Sequence, residues 1–139
     1  MSARSLRALR SAAIGFAGAT AHNSAVAIRE NLPGEPLGIR VPISVKTGIL
    51  TGWGSSVSAP WPMPVVGLLT VRGLSHGKAG SKPAYVCAAL GAAGLVGILI
   101  EPNTYRARNW TSRTRRAVQL HVATCAGLVG AGLWHAHRV

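Results

Sequence analysis

Histidine, cysteine and carboxylate side chains carry most acid–base, metal and nucleophilic chemistry, and this 139-residue chain has few of them: five His, two Cys and three Asp plus Glu. His22 and His121 fall inside apolar stretches. Facing imidazoles on two helices can ligate a haem, and a lone one can bond a quinone. His121, however, stands only four residues into its stretch, and His22 is flanked by Asn23 and Ser24. The simpler expectation is interfacial or helix–helix hydrogen bonding, with no bound cofactor. His135 and His137, in the last five residues, read as a wet membrane edge. Cys87 and Cys125 stand alone in apolar runs as small hydrophobes, and no His/Cys set has metal-ligand spacing.

The carboxylates are Glu30, Glu35 and Glu101. Glu30 and Glu35 sit in a Pro/Gly connector among cations and are expected to be solvated ion-pair partners. Glu101 closes an apolar run, where Arg106 or Arg108 would neutralise it; a proton-relay carboxylate belongs deeper in a membrane. No phosphate-cradling Gly loop, nucleophile elbow or helical zinc motif occurs. The expectation is a chain that is not an enzyme and has no catalytic or metal site.

The polar feature with most to say is the connector 101–116. Arg106, Arg108, Arg113, Arg115 and Arg116 place five guanidinium groups in eleven residues beside two apolar runs. Such a cluster suits an anionic, cardiolipin-like headgroup. It equally suits an acidic partner subunit, since Arg engages carboxylate or phosphate with a two-pronged donor set. Topology-setting charge is the plainest alternative and needs fewer arginines.

Four apolar segments must position these groups, near 11–28, 47–71, 84–100 and 117–134. Residues 84–100 are uncharged over 17 positions, the lower limit for crossing a ~30 Å hydrocarbon core, and are punctuated by Lys82-Pro83 and Glu101-Pro102. Residues 117–134 end on Trp134, a suitable interfacial anchor. Residues 47–71 are uncharged but carry Pro60, Pro62 and Pro64, which cannot all sit inside a regular helix. That segment must break near 59–63, as a broken span or as two half-elements at the interface, with Trp53 and Trp61 near the headgroups and Pro64 opening a short helix. Residues 11–28 are interrupted by His22, Asn23 and Ser24. The Arg- and Ser-rich residues ahead of them fit both an organelle-targeting presequence and a basic tail.

Composition supports this division. There are 15 Lys plus Arg and a net charge of +12, yet only 13% of residues are charged, against about 25% in soluble domains; the mean hydropathy is +0.29. The cations fall between apolar runs, as in loops flanking membrane spans. They lack the interleaved aromatics of a nucleic-acid surface, so no nucleic acid is expected. Small residues recur at helix-packing spacing: Gly48/Gly52, Ala88/Ala92, Ala93/Gly97 and Ala126/Gly130.

Charge leaves the number of crossings open. Four crossings put Arg4, Arg7, Arg10, Arg72, Lys78, Lys82 and Arg138 on one side, against Arg29, Arg40, Lys46 and the five connector arginines on the other. Laying the first segment on the surface gives eleven against four. The charge rule prefers three crossings, apolar length four, and hydropathy is the stronger physical effect.

The fold expected is an all-α, small polytopic membrane helical bundle of four apolar segments in a single membrane domain, 1–139. The function expected is a non-catalytic accessory subunit of a larger complex of respiratory or ATP-synthase type, in a mitochondrial inner or bacterial cytoplasmic membrane. Its partners would be anionic lipid and neighbouring subunits. The alternative is a stand-alone small transporter or a haem- or quinone-binding bundle, although the paired helix breaks common in transporters are missing.

Overall fold

The computed structural model describes residues 3–75 and 80–139; Lys78, counted above with the basic loops, lies outside them. The described residues are helical apart from loops and one isolated bridge between Pro33 and Ser55. The helices are α1 (Ala3–Arg29), α2 (Val45–Thr51), α3 (Pro62–Ser75), α4 (Lys82–Leu99), α5 (Pro102–Tyr105) and α6 (Ser112–Ala136).

Four of them form a ring: α1 packs on α6, α6 on α4, α4 on α3, and α3 on α1. Each runs antiparallel to the next. The Ser5 hydroxyl meets His135 Nδ1 at 2.8 Å, while Asn23, near the other end of α1, donates to the Ala117 carbonyl at 2.9 Å. One end of the bundle therefore holds the two termini. The other holds the connectors 30–61 and 100–111.

Among the described residues two helices, α4 and α6, are long and apolar enough to cross a membrane. At 1.5 Å per residue α4 spans about 27 Å. α3, with 14 residues, reaches only about 21 Å; it is apolar but short. α1 is the longest element, at 27 residues. It stands in the bundle, not across its surface, and its interior-facing positions carry Thr20, Asn23 and Ser24.

The helix interface is built on glycine. A Cβ at Gly91 would lie 2.6 Å from the Cys125 carbonyl oxygen, and one at Gly132 would lie 2.8 Å from that of Ala84. α4 and α6 thus touch backbone to backbone, as membrane helices do at small residues. Of the small-residue pairs read from the sequence, only Ala88 is buried against α6. Ala92, Ala126 and Gly130 face outward, and Gly48 serves the 52–61 loop, whose Gly54 carbonyl oxygen would lie 3.0 Å from its Cβ.

The segment 47–71 does break, but over residues 52–61, a longer stretch than the three prolines require. α3 opens at Pro62 and not Pro64, which is the economical choice: proline is favoured in a first helical turn because its missing N–H is not needed there. The loop turns back under the bundle and is covered by protein, the condition for irregular backbone beside apolar helices. Asn23 Nδ2 also donates to the Val57 carbonyl at 3.0 Å, the Ser58 hydroxyl donates to the Thr20 carbonyl at 3.2 Å, and Asn103 Nδ2 donates to the Ser56 hydroxyl at 2.7 Å.

Candidate functional site

Two features occur at the connector end, a basic groove and a partly open pocket into which Glu101 and His121 are built. The groove begins with the start of α6. Thr111 is its N-cap, accepting from the Thr114 N–H at 3.1 Å. Both threonine hydroxyls then donate to the Glu30 carboxylate, at 2.7 Å from Thr111 and 2.6 Å from Thr114. Glu30 is therefore bound to hydroxyls at the positive end of the α6 dipole, solvent-accessible as expected but held by hydroxyls in place of the expected ion pair. These two hydrogen bonds, with Arg113 nearby, hold its pKa below the usual carboxylate value. Glu35 does form the expected ion pair, with Arg40 Nε 2.8 Å from its Oε1.

This clamp ties the last turn of α1 to the first turns of α6. His22, Arg29, Arg113 and Arg116, with Ala25, Val26 and the Glu30 carboxylate itself, then line a groove of about 450 Å³. The structure divides the five connector arginines. Arg113 and Arg116 share the groove, Arg106 lines a separate recess beside Asn103 and Trp110, and Arg108 and Arg115 are exposed and line neither. Sequence reasoning missed Arg29 and His22 because they join the cluster only through antiparallel docking of α1 on α6. The available signal was that Arg29 closes one apolar run while Arg116 opens another.

The pocket, about 90 Å³, lies between the 53–60 loop, the second half of α4 and the start of the apolar part of α6. Glu101 and His121 both line it, along with Trp53, Met63, Gly94 and Gly97. Glu101 was expected to be neutralised by Arg106 or Arg108, and this is corrected. Its side chain turns inward, is 4% exposed, and its Oε2 accepts from the Glu35 N–H at 3.0 Å. Both arginines point to solvent, because α5 turns the chain away immediately after Glu101. Burial pushes the Glu101 pKa up. The Glu35 N–H opposes this, as do the Asn103 N–H and Ser56 hydroxyl, which lie near the carboxylate.

His121 is 3% exposed, and its Nε2 lies 3.2 Å from the Gly94 carbonyl oxygen and 3.5 Å from Cys125 Sγ. This is the helix–helix hydrogen bond expected for it. His135 departs from its expected wet edge: it is fully buried against Ser5 where α6 ends beside the start of α1. Among the described residues no cluster of three or more His, Cys, Asp or Glu is arranged to hold a metal ion.

Fold and site together define an antiparallel, up-down four-helix bundle with a partly open pocket and a basic groove at the connector end. No protein family, curated protein or solved structure matches the chain.

Proposed function

We propose that the chain is a non-catalytic, integral membrane accessory subunit, anchored at its connector end to an anionic headgroup through Arg29, Arg113 and Arg116. The reading rests above all on the distribution of polarity. Residues 11–28, 62–71, 83–100 and 117–137 contain no Lys, Arg, Asp or Glu, so all four bundle helices share a charge-free band. Within it Ile14, Leu69, Val96, Val122 and Leu133 face outward, while Thr20, Asn23, Ser24 and His121 face inward. A soluble domain sorts its side chains the other way. Only 33% of each apolar window in α4 and α6 is buried, where the core helix of a soluble protein would be mostly buried.

The groove fits a lipid phosphate. It presents three guanidinium groups against one carboxylate, Glu30, which is engaged by the Thr111 and Thr114 hydroxyls, and Ala25 and Val26 give it an apolar wall along which an acyl chain can run. Arg near an anionic membrane surface contributes about 1 kcal/mol each. Outward-facing small residues, Gly15 and Gly18 on α1 with Gly127 and Gly130 on α6, meet nothing within 4 Å and would let helices of a neighbouring subunit approach closely. A mitochondrial inner or bacterial cytoplasmic membrane, whose cardiolipin-like lipids carry this charge, is the setting we propose.

The test is extraction in mild detergent, native sizing and mass spectrometry of the retained lipid. A larger assembly with bound anionic lipid is expected. Replacing Arg29, Arg113 and Arg116 together by Gln should weaken lipid retention roughly 100-fold, taking about 1 kcal/mol per residue, and replacing Arg108 and Arg115 should not. A small, lipid-free species, or equal loss in both variants, would refute the reading. A stand-alone small-solute transporter is the second reading, favoured by the pocket beside Glu101 and His121. The volume of about 90 Å³ disfavours a haem or quinone, which need pockets nearer ~300 Å³ or more.

A further inference from the structure

Residues 37–44, in the connector between α1 and α2, are all exposed, and alternate positions carry Leu37, Ile39, Val41 and Ile43. Burial of apolar surface is the main drive of folding, yet none of these four belongs to either core cluster of the bundle. Leu37 is the extreme case. It is 72% exposed and holds φ at 56°, a left-handed conformation that a bulky L residue rarely adopts. Backbone strain of this kind clusters at functional segments.

The level of the segment along the bundle is fixed by α4. The Leu37 N–H donates to the Ile100 carbonyl at 2.8 Å, where the outward-facing row of Val96 and Leu99 ends. Tyr105, 74% exposed, donates its hydroxyl to the Leu99 carbonyl at 2.6 Å. Trp53 keeps part of its ring exposed while its indole N–H donates to the Gly34 carbonyl at 2.8 Å. Amphipathic aromatic rings collect at the headgroup level of membrane proteins. The segment, Tyr105 and the end of α4 therefore share one level, the edge of the charge-free band.

The segment also carries little unpaired polarity to that level. Pro36 and Pro42 have no N–H, and the N–H groups of Leu37, Gly38, Ile39 and Ile43 donate to backbone carbonyls. Unsatisfied backbone groups are what keep irregular loops out of lipid, and here most are spent. Its one charge, Arg40, is paired with Glu35 at 2.8 Å. Lys46, exposed in the first turn of α2, follows it with a cation suited to anionic headgroups.

We propose that residues 37–43 are an interfacial membrane anchor, with Leu37, Ile39, Val41 and Ile43 entering the boundary between headgroups and acyl chains at the connector end. The anchor rests on the reading of the chain as an integral membrane protein. It does not depend on the arginine groove, which binds by charge where this segment binds by apolar contact.

The test places a thiol-reactive NBD dye on Leu37→Cys, Ile39→Cys and Ile43→Cys, each in the full chain in phosphatidylcholine–phosphatidylglycerol vesicles. Native Cys87 and Cys125 are fully buried, so the dye reports the introduced site. Quenching by a lipid with a nitroxide high on its acyl chain is compared with quenching by iodide present on both sides of the membrane. Val96→Cys reports the spanning band, and Asn109→Cys, exposed on the other connector, the water side. The three loop sites are expected to lose emission to the lipid quencher, as Val96→Cys does, and to resist the iodide that quenches Asn109→Cys. Loop sites open to iodide but not to the lipid quencher, with Val96→Cys still lipid-quenched, would overturn the anchor and leave the integral-membrane reading standing. Loop sites shielded from both quenchers would overturn it in favour of a protein partner. Iodide quenching at Val96→Cys would overturn the membrane reading, and the anchor with it. Ile39→Cys and Ile43→Cys keep the test decisive if Leu37→Cys, at the strained position, does not fold.

Discussion

Replacing Gly91 by Ala adds one methyl group to α4, and the structure places it 2.6 Å from the Cys125 carbonyl oxygen, 2.9 Å from Val129 Cγ2 and 3.0 Å from the Val129 nitrogen. Two of these atoms are backbone, so no rotamer change clears them. To restore ordinary contact, α4 and α6 must separate by roughly 0.8 Å, and close-packed interiors resist such shifts. Overpacking of this kind costs about 1–3 kcal/mol. Alanine returns up to about 1 kcal/mol through its better helix propensity, so Gly91→Ala should fall about 1–3 kcal/mol below a control that gains the propensity alone. Gly127→Ala is the matched control, because it lies on one of the same helices with nothing within 4 Å; only the propensity gain should remain. Thermal unfolding of both variants in one detergent, followed by far-UV circular dichroism, measures the difference. Equal midpoints for Gly91→Ala and Gly127→Ala would refute the claim that α4 and α6 meet backbone to backbone.

Asn23→Ala removes two donors from the buried Val57 and Ala117 carbonyls and should cost about 1–3 kcal/mol, read as a lower unfolding midpoint. The two connector carboxylates should give opposite pH dependences. The Glu30 pKa is lowered in the fold, so its contribution is full above the unfolded value of 4.5 and is lost as pH falls through the folded value. The Glu101 pKa is raised, so its contribution is full below 4.5 and is lost as pH rises through the folded value. Unfolding midpoints measured against pH should therefore flatten on the acid side in Glu30→Gln and on the neutral side in Glu101→Gln. Gly127→Leu with Gly130→Leu should leave the isolated chain folded but shift its native-size species downward, if neighbouring helices dock on α6.

The four segments were legible in the sequence because each is a long run without charge, and uncharged length is a local property. What local pattern could not carry was pairing. The small-residue spacings pointed to Ala88, which does meet Gly132, but also to Ala92, Ala93 and Ala126, while Gly91, Gly94 and Gly132 make the closest contacts. All of these stand in equally Gly/Ala-rich sequence, and only the rotation of α4 against α6 decides between them. The arginine cluster was legible as five residues. Its division into a groove, a recess and free surface was not, because Arg29 and His22 reach it from the far end of α1.

Glu101 shows why a polar residue at the end of an apolar run is ambiguous. With arginines five and seven positions ahead of it, local charge argues for a surface ion pair. The chain decides otherwise through a distant feature: α5 begins at Pro102, directing Arg106 and Arg108 outward, while the 52–61 loop folds beneath α4 and closes over the carboxylate. The prolines, read from the sequence as a break with Pro64 opening a short helix, instead open α3 at Pro62. Gly52, in the left-handed conformation at φ 109°, ends α2 and Pro62 opens α3, so residues 52–61 belong to neither helix and cover the pocket. The broken segment and the buried acid are one structural feature, 40 residues apart in the chain.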